Sequence, residues 1–121
     1  MSPTDMGHAV AKAGKNCWLT ERGTFFGYNR LVNDFVGLSD MMSLGHPVCF
    51  DVTHSTQQPG GLGSQSGGRP DAAPLLAKLA VTTGVQALFI ETHPDPPNAL
   101  SDAAVVLPIE ATLELLGNLV E

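Results

Sequence analysis

The feature that most constrains this chain is a short apolar run that ends in polar residues and precedes a long glycine-rich segment. Residues 47–50 are typical of a buried β-strand, and Asp51, Thr53 and His54 follow at once. Behind them, a glycine-rich stretch runs up to Arg69 before the next helical pattern begins. A loop of about fifteen residues without secondary structure is uncommon in a compact domain and is usually functional. This order favours one unit of a parallel α/β fold, with its site at the carboxyl end of the strand.

The same order of elements recurs along the chain, and it predicts a single α/β domain. Alternating helices and strands favour a parallel sheet with helices outside it, and 121 residues are enough for one core but not for two. The second helix is expected to break at Gly37. Helices are predicted over residues 2–14, 32–44, 71–83 and from 108 to the end, and strands over 16–20, 47–50 and 85–90.

Two further patterns concern loops and helix faces. The aromatic segment 25–29 is expected to be a loop. The third helix is predicted to bury its apolar stripe, and the last helix carries a similar stripe. The residues of the two stripes are Leu75, Leu76, Leu79 and Ala80, and Ile109, Leu113, Leu116 and Val120.

Composition narrows the classes of partner and compartment. A net charge of −6 argues against a nucleic-acid or anionic-membrane surface. No apolar run is long enough to span a bilayer, and the N-terminus lacks the basic-then-apolar plan of a signal peptide. Cys17 and Cys49 both fall in predicted buried strands, where reduced thiols of a cytosolic protein are more common than a disulfide.

The predicted strands all end in residues that carry chemistry. Glu21 and Arg22 follow the first strand, residues 51–54 follow the second, and residues 91–93 follow the third. Because the carboxyl ends of parallel strands meet at one edge of a sheet, these tips are expected to converge on one site.

His54, Glu91 and Asp102 are the candidate metal ligands. An imidazole with two carboxylates suits zinc, manganese or iron and leaves a position open for water or substrate. Since the three residues belong to different loops, spacing alone does not establish a metal site, and solvated loop residues are the more common case. Arg22 is a candidate for bidentate binding of a phosphate or carboxylate, and the alternative is an ion pair with Glu21 or Asp51.

The glycine-rich segment 60–69 admits two interpretations. Its backbone N–H groups are suited to a phosphate, whereas its glycine content is equally suited to a flexible lid. The segment matches neither the Walker nor the dinucleotide-binding spacing.

Taken together, the motifs resemble the 3-deoxy-D-manno-octulosonate-8-phosphate (KDO-8-phosphate) synthase family, also called 2-dehydro-3-deoxyphosphooctonate aldolases. They occur in the order found in that family and cover nearly the whole chain. Two positions depart from it: Phe25 stands where a small hydroxyl residue is more frequent, and Thr4 where tryptophan is frequent. The matching motifs are SPTDM at 2–6, ERGTFFGYN at 21–29, FDVTH at 50–54, SGGR at 66–69, FIETHPDP at 89–96 and SD at 101–102.

The resemblance implies a (β/α)8 barrel of which residues 1–121 form the C-terminal half, with the sixth to eighth strands. It implies a condensation of phosphoenolpyruvate with arabinose 5-phosphate and water, which gives KDO-8-phosphate and phosphate for lipopolysaccharide synthesis. It also implies a cytoplasmic homotetramer. A related heptulosonate-7-phosphate synthase activity is the nearest alternative.

Carried over residue by residue, the resemblance assigns Arg22 to the phosphate of phosphoenolpyruvate. His54, Glu91 and Asp102 would hold a divalent metal in metal-dependent members, or line the corresponding metal-free site in the others. Metal-independent members tend to carry Cys-Asp-Gly-Pro where this chain has Ser-Asp-Ala-Ala at 101–104, which favours metal dependence. The residues implied to close over the sugar phosphate are Gln57, Ser66, Gly67, Gly68 and Arg69.

A complete barrel of this type needs about 250 residues. The 121-residue chain by itself is therefore expected to be inactive and to fold only against a partner half, since a three-stranded parallel sheet has two unpaired edges. A sugar-phosphate-binding module without chemistry is the remaining alternative.

Overall fold

The structure is a computed structural model that describes residues 3–14, 16–62 and 65–120. Its α-helices are α1 (Pro3–Ala13), α2 (Phe35–Met42), α3 (Val52–Ser55), α4 (Ala73–Thr83) and α5 (Ile109–Leu119). Its strands are β1 (Leu19–Glu21), β2 (Thr24–Gly27), β3 (Arg30–Val32), β4 (Val48–Asp51), β5 (Gln57–Leu62), β6 (Gln65–Gly68), β7 (Ala87–Phe89), β8 (Thr92–His93) and β9 (Leu107–Pro108). Short 3₁₀ turns occupy Pro70–Ala72 and Pro96–Asn98.

A parallel sheet in the order β1-β4-β7 forms the centre of the fold. Phe50 of β4 lies between Glu21 of β1 and Leu88 of β7 in the register. Both Val48 and Phe50 are fully buried, as expected for the middle strand of a parallel sheet covered by helices. The predicted alternation of helices with three parallel strands is confirmed.

Two segments predicted as loops are β-hairpins. Strands β2 and β3 pair across the aromatic segment, where Tyr28 and Asn29 have φ of 57° and 51°. Two left-handed residues in succession form the turn whose twist matches a β-hairpin. The glycine-rich segment likewise pairs β5 with β6, so it is not the unstructured loop that its composition predicts. In both places the glycine content predicted that the chain turns, but it did not predict the strands on either side of the turn.

The second helix begins at Phe35 and is not broken at Gly37. Asp34 caps it, because its Oδ1 accepts a hydrogen bond of 2.9 Å from the Gly37 N–H. A Cβ at Gly37 would lie only 2.5 Å from Asp34 Oδ2, so glycine here makes room for the cap instead of interrupting the helix.

The apolar stripe predicted for the third helix is only partly buried. Ala77 and Ala80 face the core with no exposed surface, and Leu76 packs against them, whereas Leu75 is 61% exposed. On α5 the buried leucine is Leu115. Small residues let α4 approach the sheet closely, so the larger apolar side chains are left on the outer side. These exposed side chains are Leu75, Leu79, Ile109, Leu113, Leu116 and Val120. None of the helices described is both long and apolar enough to cross a membrane.

Candidate functional site

The site begins at the point where β4 passes directly into α3. Asp51 ends the strand and caps the helix, with its Oδ1 accepting from the His54 backbone N–H at 2.9 Å. The second carboxylate oxygen, Oδ2, lies 2.7 Å from His54 Nδ1. One buried carboxylate therefore fixes both the start of the helix and the orientation of the imidazole.

The other imidazole nitrogen faces two carboxylates from distant parts of the chain. His54 Nε2 lies 3.2 Å from Asp102 Oδ2 and 3.7 Å from Glu91 Oε1. One ligand atom from each of the three residues lies within 4.8 Å of the others, and all three side chains are half-buried. The structure thus brings together the three residues that the sequence analysis proposed as metal ligands.

This arrangement requires a positive charge at Nε2. With Asp51 accepting from Nδ1–H, a neutral imidazole would turn a bare lone pair toward two carboxylates. Burial lowers the pKa of His54, but the hydrogen bonds and negative charges of Asp51 and Asp102 outweigh it and raise the pKa above the usual 6.5. Either a proton or a cation at Nε2 therefore satisfies the site.

The donor set fits a divalent metal ion. A tetrahedral centre with metal–ligand distances of about 2.1 Å separates its ligand atoms by roughly 3.4 Å. The two separations measured from His54 Nε2 are 3.2 and 3.7 Å, on either side of that value. The hydrogen bond from Nδ1 to a carboxylate is the outer contact that commonly orients a metal-binding histidine.

Asp102 reaches the site from an unusual backbone conformation. Its φ is 56°, in the left-handed region that residues other than glycine seldom occupy. Its carbonyl accepts hydrogen bonds from the N–H groups of Val105 and Val106 at 2.9 and 3.0 Å. Both valines are buried, and this tight turn directs the carboxylate toward His54. Such backbone strain occurs preferentially at functional sites.

Arg22 and Gln57 join the same network. Arg22 Nη2 donates to Gln57 Oε1 at 3.1 Å, and Gln57 Nε2 donates to Asp102 Oδ1 at 3.5 Å. The carboxylate of Glu21 instead accepts from the Gly23 N–H at 2.6 Å, while Asp51 is engaged by His54. In the described part of the chain, Arg22 is therefore tied to the site through an amide.

The other predicted substrate-binding residues divide between two locations. Gly68 packs against the Asp102 turn so closely that a Cβ would lie 2.6 Å from the carbonyl oxygen of Ala104. Arg69 is instead paired with Asp71 at 3.1 Å on the surface, and lowers the pKa of that carboxyl. Gly67 lies beside Gly68 in β6 and is buried, while the Ser66 side chain lies outside the described part of the structure.

The chain is similar in sequence to proteins of a known family. The family described as "DAHP synthetase I family" matches residues 3–120. The chain belongs to this family. Among curated relatives, the 2-dehydro-3-deoxyphosphooctonate aldolase of Alkalilimnicola ehrlichii is 50% identical over 125 residues, which cover 100% of this chain and 45% of that protein. The aldolase of Protochlamydia amoebophila is 48% identical, and the match covers 96% of this chain and 44% of that protein. The aldolase of Caulobacter vibrioides is 49% identical, and the match covers 98% of this chain and 43% of that protein.

These relatives confirm the resemblance carried by the motifs. The chain spans less than half the length of the aldolases it matches.

Sequence reasoning missed the orienting residues of the site. It assigned no role to Asp51 at His54, although an aspartate three residues before a histidine at a strand-to-helix junction is a recognisable capping signal. It also missed Phe89, whose ring stacks on His54 with centroids 5.9 Å apart. No local pattern links Phe89 to His54, because only the pairing of β4 with β7 brings them together.

Proposed function

We propose that this chain is the C-terminal half of a (β/α)8-barrel KDO-8-phosphate synthase and contributes its sixth to eighth strands. The observation that carries the proposal is His54 Nε2 facing Glu91 and Asp102, where His54 and Glu91 follow the carboxyl ends of the parallel strands β4 and β7. Active sites of such barrels lie at that end. The roughly 50% identity to 2-dehydro-3-deoxyphosphooctonate aldolases supports the same reaction.

In this reaction the methylene carbon of phosphoenolpyruvate joins the aldehyde carbon of arabinose 5-phosphate. Water adds to the enol carbon, and inorganic phosphate leaves. Arg22 is assigned to the phosphoenolpyruvate phosphate, because a planar guanidinium binds phosphate through two parallel hydrogen bonds. The hairpin residues Gln57, Ser66, Gly67 and Gly68, together with Arg69 directly after the hairpin, are assigned to the sugar phosphate.

His54, Glu91 and Asp102 are assigned to a divalent metal ion, with zinc, manganese and iron as the candidates. Such an ion supplies Lewis-acid polarisation and lowers the pKa of water. Asp51 fixes the imidazole so that Nε2 points into the site. If the protein belongs to the metal-independent class, a proton on Nε2 takes the place of the ion and makes His54 a hydrogen-bond donor.

The proposal extends to location and assembly. Cys17 and Cys49 are free thiols, which suits the reducing cytoplasm. The exposed leucines of α4 and α5 suit burial between subunits of a homotetramer, because large apolar surfaces on helices mark interaction sites. The outer strands β1 and β7 are suited to pairing with the rest of a barrel.

A hybrid protein tests the proposed activity. The 121 residues replace the matching part of the Alkalilimnicola ehrlichii aldolase, and product formation is followed with phosphoenolpyruvate plus arabinose 5-phosphate. We expect turnover in the hybrid, loss of turnover in its His54→Ala variant, and none in the 121-residue chain alone. A folded hybrid without turnover would contradict the proposed reaction, and turnover by the isolated chain would contradict the half-barrel proposal.

The family match also makes heptulosonate-7-phosphate synthesis a second candidate. A seven-carbon product from the three-carbon phosphoenolpyruvate requires a four-carbon aldose phosphate, whereas an eight-carbon product requires a five-carbon one. The same hybrid assayed with erythrose 4-phosphate separates the two. A preference for erythrose 4-phosphate would favour the second candidate.

A further inference from the structure

The segment 51–57 touches all three candidate metal ligands, although only one of them belongs to it. Asp51 holds the imidazole of His54. We infer that Thr53 and Gln57 are positioning residues for Glu91 and Asp102, so that one short segment sets the geometry of the entire ligand set. This inference rests on the proposed metal site and goes beyond the substrate role that the resemblance implies for Gln57.

Thr53 positions Glu91 through the backbone. Its side chain is 2% exposed, and its Oγ1 accepts a hydrogen bond of 2.7 Å from the Glu91 N–H. Strand β4 ends at Asp51, which is in register with Phe89, and the chain then turns into α3. Strand β4 therefore has no backbone carbonyl left to accept from the Glu91 N–H, and the Thr53 hydroxyl oxygen accepts this hydrogen bond instead. Because Thr53 directly precedes His54 in the chain, this hydrogen bond holds the backbone of Glu91 next to the backbone of His54.

Gln57 positions Asp102 through its side chain. Arginine only donates hydrogen bonds and an ionised carboxylate only accepts them, so the amide oxygen must face Arg22 and the amide nitrogen must face Asp102. The donor–acceptor distances of 3.1 and 3.5 Å agree with that orientation. Gln57 binds Oδ1 of Asp102, while the other oxygen, Oδ2, faces His54 Nε2. A neutral amide is suited to this place because it bridges a cation and an anion without repelling either.

Two substitutions test the inference, with cobalt(II) as the probe because its visible absorption spectrum reports ligand geometry. Thr53→Val keeps the shape but removes the acceptor for the Glu91 N–H, and Gln57→Met keeps the length but removes both hydrogen bonds. We expect each to weaken cobalt(II) binding by about 10-fold or more and to change the spectrum, as loss of an outer contact to a metal ligand does. Thr53→Ser retains the hydroxyl, so it should keep both the cobalt(II) affinity and the spectrum of the parent protein.

Matched controls separate positioning from a general loss of stability. Thr82→Val removes another threonine hydroxyl, which donates to the Lys78 carbonyl at 2.8 Å near the end of α4. Gln86→Met removes an amide whose Oε1 accepts from the Val48 N–H at 2.8 Å, at the opposite end of β4. Both controls should leave the cobalt(II) spectrum and affinity unchanged, while Gln86→Met should lower the free energy of unfolding measured with urea.

The measurements are made on the hybrid barrel, because the 121-residue chain is expected to fold only against a partner half. If the folded hybrid does not bind cobalt(II), the proposed metal site is wrong and the inference falls with it. If the parent protein binds but Thr53→Val and Gln57→Met bind as tightly as the two controls, the metal site stands and the positioning roles are refuted.

Discussion

Replacing Asp51 by asparagine should separate the two tasks of this carboxylate. Asp51 accepts two hydrogen bonds at once, at 2.9 Å from the His54 backbone N–H and at 2.7 Å from Nδ1. Asparagine has a single side-chain oxygen, so it can serve only one of them. Asparagine caps helices about as well as aspartate, so we expect the cap to be kept and the NH₂ group to face Nδ1. The imidazole then accepts at Nδ1 and carries its proton on Nε2, so binding a metal at Nε2 requires the less favourable tautomer and is weakened.

The expected effect on metal affinity follows from the loss of this contact. Outer hydrogen bonds to metal-binding histidines are worth about 10- to 100-fold in affinity, which corresponds to about 1.4 to 2.7 kcal/mol. Replacing the same residue by alanine removes the cap as well, which adds about 1 kcal/mol of destabilisation. Both are measured on the hybrid barrel, zinc affinity by competition with a chromogenic chelator and stability by urea unfolding of the metal-free protein.

The chain supplies a matched control in Asp34, which caps α2 through a 2.9 Å hydrogen bond from Gly37 N–H. Asp34→Asn should leave zinc affinity unchanged. If Asp51→Asn binds zinc as tightly as Asp34→Asn does, the Asp51 contact does not orient the imidazole for metal binding and the reasoning is refuted.

Three further predictions concern packing and pH. Gly68→Ala should cost about 1 to 3 kcal/mol of stability and weaken zinc binding, because its Cβ would lie 2.6 Å from the Ala104 carbonyl oxygen; unchanged unfolding and zinc titrations would contradict this. In the metal-free protein, the raised pKa of His54 means that protonation stabilises the fold below about pH 6.5. This contribution should be lost as the pH rises through the folded-state pKa, and His54→Gln should flatten that part of a urea-unfolding pH profile. Burial, and then the charge of Asp51, raise the pKa of the Cys49 thiol above 9.0, so iodoacetamide should label it slowly at neutral pH and faster in Asp51→Asn; equal labelling rates would count against the charge effect.

The sequence by itself determined the alternation of helices with three parallel strands and the identity of the polar tips. Apolar runs such as residues 47–50 need burial, and a parallel sheet covered by helices buries Val48 and Phe50 completely. Because parallel strands end at one edge, the approach of His54 and Glu91 was predictable without coordinates, whereas Asp102 ends no predicted strand and only the tertiary structure brings its carboxylate to His54.

Tertiary structure decided what depends on contacts between distant residues. The pairing of β5 with β6 could not be read from a glycine-rich segment, since glycine lowers strand propensity and the pairing is set by the partner strand. The bridge from Gln57 to Asp102 likewise depends on groups 45 residues apart in the chain. Which leucines of α4 are buried depended on how closely the helix approaches the sheet, and Ala77 and Ala80, not the larger residues, set that distance.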